Sequence, residues 1–201
     1  MKNNIRDKRL FIFDAGNVTI KGIDFATELC SVYGIDLDEF WRDYEHYEFP
    51  MYEGLVTEDM YLRHLEKKFK VVFNGNPIKE YFHPEMNEEM ITIIDKLRKK
   101  GYRVVMGSNT INDHTEVMIN MGVTDHFDAL YLSDRMGLSK PDHQFFEYIL
   151  KHEGVSAEDA FFTDDRIDYI EGATKVGIDT LHYTGDDKSE KLKSTYSFLF
   201  D

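Results

Sequence analysis

Leu10-Phe11-Ile12-Phe13-Asp14-Ala15-Gly16-Asn17-Val18 decides the reading of this 201-residue chain. The first four residues are apolar, too few for a helix and bounded by the charged Arg9 and Asp14, so they describe a short strand buried on both faces. The small residues that follow turn the chain, and the carboxylate of Asp14 emerges at that turn. A carboxylate held this way can attack phosphorus and form an aspartyl-phosphate. By itself an acid after a strand is more often a turn residue or helix cap, so the weight falls on what accompanies it.

Three later runs supply that company. Arg103-Val104-Val105-Met106-Gly107 leads into Ser108-Asn109-Thr110, and Ala160-Phe161-Phe162-Thr163 leads into Asp164-Asp165. Between them Leu130-Tyr131-Leu132-Ser133 leads into a loop carrying Gly137-Leu138-Ser139-Lys140-Pro141. Together they describe one polar cluster at the carboxyl edge of a parallel sheet, where open α/β sheets place ligands.

Taken in order, the strand-end Asp14, the strand-end Ser108, Lys140 followed by Pro141, and the pair Asp164-Asp165 resemble the four motifs of the haloacid dehalogenase (HAD) superfamily, over residues 9 to about 183. The strings Phe13-Asp14-Ala15-Gly16-Asn17-Val18, Ser108-Asn109-Thr110 and Thr163-Asp164-Asp165, followed by Ile170-Glu171-Gly172-Ala173, are similar to the bacterial α-D-glucose-1-phosphate phosphatase branch. The resemblance implies an α/β fold, a Rossmann-like parallel sheet with helices on both faces and an inserted α-helical cap. It implies a phosphoric monoester hydrolase that uses Mg²⁺, with Asp14 as nucleophile.

A phosphate dianion repels a carboxylate, so attack by Asp14 needs positive charge between them. Mg²⁺ prefers oxygen ligands, and Asp14, Asp165, the main-chain carbonyl of Gly16 and Asp164 are the expected set. Phosphate oxygens are expected to meet Ser108, Asn109, Lys140 and the main-chain N–H groups of Ala15 and Gly16. Lys140 would also keep Asp14 ionised. Most HAD phosphatases carry a second Asp two residues after the nucleophile, a general acid worth about 10²–10⁴-fold; here that position is Gly16. A hemiacetal oxygen leaves more readily than an ordinary alcohol, which makes a sugar phosphate such as glucose 1-phosphate chemically sensible. Two rivals stand beside this reading: a catalytically weak regulatory protein that binds a phosphometabolite, and a dehalogenase, for which Asp164-Asp165 would have no task.

Composition bounds the rest. The formal charge of -14 supports neither a nucleic-acid nor a membrane-surface partner, leaving a small phosphorylated metabolite. Cys30 is the only cysteine, so no intramolecular disulfide forms. The apolar run before Asp14 is too short for a secretory leader, and no stretch reaches membrane-spanning length; the expectation is a cytoplasmic monomer.

Residues 1–21 and 86–201 are expected to form the core and 22–85 the cap. Within the cap, helices are predicted over Phe25 to Tyr33, Leu37 to about Tyr47, and from the N-cap Thr57 to about Phe69, with a short fourth after the break at Asn74-Gly75-Asn76-Pro77. Core helices are predicted over Asn87 to Lys100, His114 to Met121, Asp142 to His152 and Ile167 to Val176, and a last strand over Thr180 to Tyr183. The charged tail from Gly185 reads as a surface strand or helix. His46, Tyr52, Glu53 and Gly54, near a break between cap helices, are the expected specificity residues, while Trp41 reads as packing.

Overall fold

The computed structural model describes residues 4–200. Strand β1 (Leu10–Phe13) leads to β2 (Ile20–Lys21), after which come helices α1 (Ala26–Tyr33), α2 (Leu37–Tyr52), α3 (Glu58–Phe69) and α4 (Pro77–Glu80). The chain returns through β3 (Glu85–Met86) to α5 (Glu88–Lys99), β4 (Arg103–Ser108), α6 (Asn112–Asn120), β5 (Ala129–Leu132), α7 (Ser133–Met136) and α8 (His143–Glu153). It finishes with β6 (Ala160–Asp164), α9 (Ile167–Val176), β7 (Asp179–His182) and α10 (Lys188–Thr195).

Five strands form one parallel sheet in the order β5-β4-β1-β6-β7. The central strand β1 has all four residues fully buried, the signature of a sheet covered on both faces. Because side chains alternate across a strand, Phe11 and Phe13 pack with Ile93, Ile94 and Leu97 of α5, whereas Leu10 and Ile12 pack with Phe145, Phe146 and Ile149 of α8 and Ala173 of α9. This Rossmann-like α/β architecture is the one the sequence predicts. No helix among the described residues is long and apolar enough to cross a membrane.

The four helices α1–α4 lie between β2 and β3, which pair antiparallel with Ile20 opposite Met86. The N-caps behave as their residue types dictate: Asp36, Thr57 and Asn76 each accept a main-chain N–H at the start of α2, α3 and α4. Gly34 ends α1 in the left-handed conformation.

Two expectations are corrected. The second cap helix runs on to Tyr52 rather than stopping near Tyr47, with Pro50 inside it. Proline removes one N–H bond, but it stands in the last turn, and Met51 beyond it is buried in the main core. The tail is not a surface segment either. Leu192 of α10, with Tyr196, Phe198 and Leu199 after it, is buried in the main core, the Tyr196 ring lies 6.1 Å from that of Phe13, and its hydroxyl meets Thr163 at 3.1 Å. The charges that suggested a surface segment occupy the outer side of a helix whose apolar side completes the core.

Candidate active site

Parallel pairing sets the site. β1 lies between β4 and β6, with Phe13 opposite both Met106 and Thr163, so Asp14, Ser108 and Asp164 end neighbouring strands at one edge. The Asp14 N–H donates to the Thr163 carbonyl at 3.0 Å. The following turn is closed by the Ala15 carbonyl, which accepts from Val18, Thr19 and Ile20. Asn17 takes a left-handed conformation there (φ 55°), tolerated by asparagine, and its amide donates to Asp165 Oδ2 at 3.0 Å.

Lys140 comes from the loop after α7 and is fully buried. Its Nζ donates to Asp14 Oδ1 at 2.6 Å and to Asp164 Oδ2 at 2.7 Å. The ammonium also lies 4.8 Å from the Tyr169 ring centroid and 5.3 Å from that of Phe162, within cation–π range. Burial alone would lower the lysine pKa; the two carboxylates win and raise it well above its ordinary value. Burial pushes Asp164 up to about 7, against the pull of Lys140.

The segment carrying Lys140 is itself clamped. The Asn109 side chain accepts from Lys140 N at 2.8 Å and donates to Lys140 O at 2.9 Å and to the Tyr169 hydroxyl at 3.0 Å. Opposite, a Cβ on Gly172 would collide with the Pro141 carbonyl, so only glycine lets α9 approach this closely. The sequence predicts Asn109 as a phosphate ligand; the structure shows its amide fixing the lysine loop, although Asn109 still lines the cavity.

Carboxylate oxygens of Asp14, Asp164 and Asp165 lie within 4.8 Å of one another. Three hard oxygen donors this close suit a divalent cation such as Mg²⁺, and burial together with the Asp14 charge raises the Asp165 pKa, a repulsion that a cation relieves. Asp164 is the most engaged of the three, since its Oδ1 accepts the Arg166 N–H at 2.9 Å while Oδ2 holds Lys140. Asp14 and Asp165 are therefore the freer carboxylates.

Beyond the carboxylates opens a cavity of about 500 Å³ between the sheet edge and the cap. Asp14, Ala15, Gly16, Ser108, Asn109 and Asp165 form its floor. Among the predicted cap residues only Tyr52 lines it, with its hydroxyl donating to Glu48 at 3.3 Å. His46 is exposed on α2 and absent from the lining. Glu53 and Gly54 dock the cap on the core instead. Glu53 accepts from the Ser139 hydroxyl at 2.7 Å, and Gly54, at φ +68°, sits where a Cβ would lie 2.8 Å from the Asp134 carbonyl.

Trp41, predicted as packing, lines the cavity with Phe25, Tyr44, Phe82, His114 and Met118. Burial lowers the His114 pKa to about 3, so the ring is neutral; it stacks on Phe82 at 3.8 Å. A signal for part of this wall is in the sequence: Trp41, Tyr44, Glu48 and Tyr52, spaced three and four apart, share one face of a helix.

Comparison with known proteins agrees with this architecture. A sesquiterpene phosphatase, astK, of Aspergillus oryzae is 31% identical over 96 residues, 47% of this chain and 49% of that protein. A glyceraldehyde 3-phosphate phosphatase of Methanocaldococcus jannaschii is 37% identical over 67 residues, 33% of this chain and 29% of that protein. The chain spans less than half the length of the curated relatives it matches. Among solved structures, the magnesium complex of a HAD family enzyme from Bacteroides thetaiotaomicron superposes with TM-score 0.81 at 22% identity, covering 93% of this chain and 99% of that one, a likeness of fold. The profile of the haloacid dehalogenase-like hydrolases matches residues 27–183. That stretch begins after Asp14, whose place at the site rests on the register of β1. With most of its length matched, the chain belongs to the haloacid dehalogenase-like hydrolase family.

Proposed function

We propose that this hydrolase is a Mg²⁺-dependent phosphatase that cleaves a small phosphate monoester by transferring its phosphoryl group to Asp14. The observation that carries the reading is the buried ammonium of Lys140 between Asp14 and Asp164, beside the third carboxylate of Asp165. A dehalogenase would leave Asp165 without a role.

Lys140, at 2.6 Å, holds one oxygen of Asp14 in place and offsets its negative charge against the incoming dianion. Its other carboxylate oxygen attacks phosphorus, and the bond from phosphorus to the ester oxygen breaks. Ser108 and the main-chain N–H groups of Ala15 and Gly16 would bind the phosphoryl oxygens. When bound, Mg²⁺ would be held by Asp14, Asp165 and the Gly16 carbonyl and would offset the repulsion between carboxylate and dianion. Position 16 carries no acid, so the departing oxygen takes its proton from water. A second water then attacks the phosphorus of the aspartyl-phosphate, releasing inorganic phosphate and restoring Asp14.

Relatives named for a sesquiterpene and for glyceraldehyde 3-phosphate support phosphate-ester hydrolysis while differing in the alcohol released. Glucose 1-phosphate is the ester to which the glucose-1-phosphate resemblance points, through Gly16. The test is phosphate release by the purified protein with and without Mg²⁺. Asp14→Asn should lower release by at least roughly 10³-fold while the fold is retained; a variant rate near that of the parent would overturn the nucleophile assignment.

A further inference from the structure

We propose that the ester accepted here carries an uncharged, predominantly apolar alcohol portion, such as an alkyl, aryl or isoprenoid chain, rather than a sugar. The inference rests on the phosphatase reading above and concerns what occupies the cavity beyond the phosphate.

Three features of the cavity carry it. Its walls beyond the floor are mostly aromatic or aliphatic, with Ile23, Phe25, Trp41, Phe82, Met118 and Tyr169 facing the same space. Much of the polar capacity on these walls is already used. Both carboxylate oxygens of Asp24 accept from the start of α1, at Ala26 N, Thr27 N and Thr27 Oγ1. Glu48 accepts from Tyr52, and Arg166 is paired with Asp168 at 2.8 Å. His114 lines the cavity with its ring, while its Nε2 is buried without a partner and so offers little to a substrate hydroxyl. A sugar would bring several hydroxyls into a space that offers few free partners, and a buried hydroxyl without one is disfavoured.

The third feature lies where the leaving group must sit. A Cβ on Gly16 would come 3.2 Å from Ile23 Cδ1 and 3.7 Å from Asp14 Oδ2. The ground next to the nucleophile, which an acid holds in most phosphatases of this family, is thus covered here by a methyl group. The charge balance agrees, since Asp24, Glu48 and Asp165 face the cavity against the paired Arg166; a second anionic group on the substrate would be repelled.

Initial rates with Mg²⁺ on octyl phosphate, held below its micelle-forming concentration, glucose 1-phosphate and glucose 6-phosphate test the proposal. The parent should show kcat/KM for octyl phosphate at least about tenfold above either sugar ester, since a few methylenes in an apolar pocket discriminate by that much. Ile23→Asp should lower the ratio of octyl phosphate to glucose 1-phosphate by at least about tenfold. Binding is read separately from the emission of Trp41, the single tryptophan of the chain, with octyl phosphonate, whose C–P bond is not hydrolysed, against methyl phosphonate. Octyl phosphonate should shift that emission at concentrations at least tenfold lower. Release from the sugars that equals or exceeds release from octyl phosphate overturns the inference and leaves the phosphatase reading standing. Release from no ester overturns the phosphatase reading, and the Trp41 titration then decides alone, equal binding of the two phosphonates sinking the apolar site. The parent's ratio decides even where Ile23→Asp does not fold.

Discussion

The two ends of the cavity are built on different principles. At the sheet edge the charged groups are held by residues remote in sequence: Lys140 by Asp14 and Asp164, its main chain by Asn109, and Asp165 by Asn17. The opposite end is mostly a wall of rings and methyl groups, with His114 Nε2 buried without a partner. Hydrogen bonds to charged groups fix position within tenths of an ångström, which suits bond making. Apolar packing fixes shape and excludes hydroxyls, which suits selection. Reaction and selectivity should therefore respond separately to substitution.

The sharpest break is Lys140→Met. It leaves Asp14 and Asp164 buried without their cation, and removing one partner of a buried pair costs about 3–5 kcal/mol. Urea denaturation in EDTA should show that loss, with phosphate release abolished; a parent-like midpoint would mean that Lys140 is not the keystone of the polar end.

At the other end, His114 reports burial through pH. Its folded pKa of about 3 lies below the ordinary 6.5, so the unfolded chain takes up the proton first. This contribution to stability is present above pH 6.5 and is lost progressively as pH falls towards about 3. Between pH 7.5 and pH 5 the parent should lose about 2 kcal/mol more than His114→Phe. Parallel pH profiles would mean that the ring is wetter than its stacking on Phe82 implies.

Gly16→Asp places an acid where the two ends meet. Gly16 is outside the left-handed region, so the obstacle is the flexible tip of Ile23 rather than the backbone. The preference for phenyl over alkyl phosphate, measured as kcat/KM, should shrink by about tenfold as the poorer leaving group gains an acid; an unchanged ratio would show that leaving-group chemistry is not limiting. The smallest effect belongs to Ser139→Ala, which removes the 2.7 Å bond to Glu53. Stability should fall by about 1 kcal/mol, checked by thermal unfolding, with kcat largely retained.

The polar end was legible because Asp14, Ser108 and the Asp164-Asp165 pair each end a short apolar run, and parallel strands bring such ends together whatever separates them in sequence. Asn109 marks the limit: an amide after a strand signals a ligand or a clamp equally, and only the position of Lys140 decides between them. The apolar end was far less legible. The face of Trp41, Tyr44, Glu48 and Tyr52 was present in the helical spacing, but α2 has a second face, where Asp43 and Tyr47 meet His64 of α3, and periodicity does not say which face meets the core. Phe82, after α4, and His114 and Met118, one turn apart on α6, come from two further segments that only tertiary packing brings to this wall. Gly54 reads as a loop over the site until its approach to the Asp134 carbonyl shows it to be a point of docking.

The β2–β3 ribbon gives the cap the character of an exchangeable module. Its two tethers leave the core side by side, Lys21 opposite Glu85, and Asn87 ties them down with bonds to the Val18 and Thr19 carbonyls. The core sees a short closed stem however much chain is strung between its ends, and lengthening a loop raises the closure cost only logarithmically. The stem and the contacts of Glu53 and Gly54 with Ser139 and Asp134 are the joints that any replacement of the cap helices would have to keep.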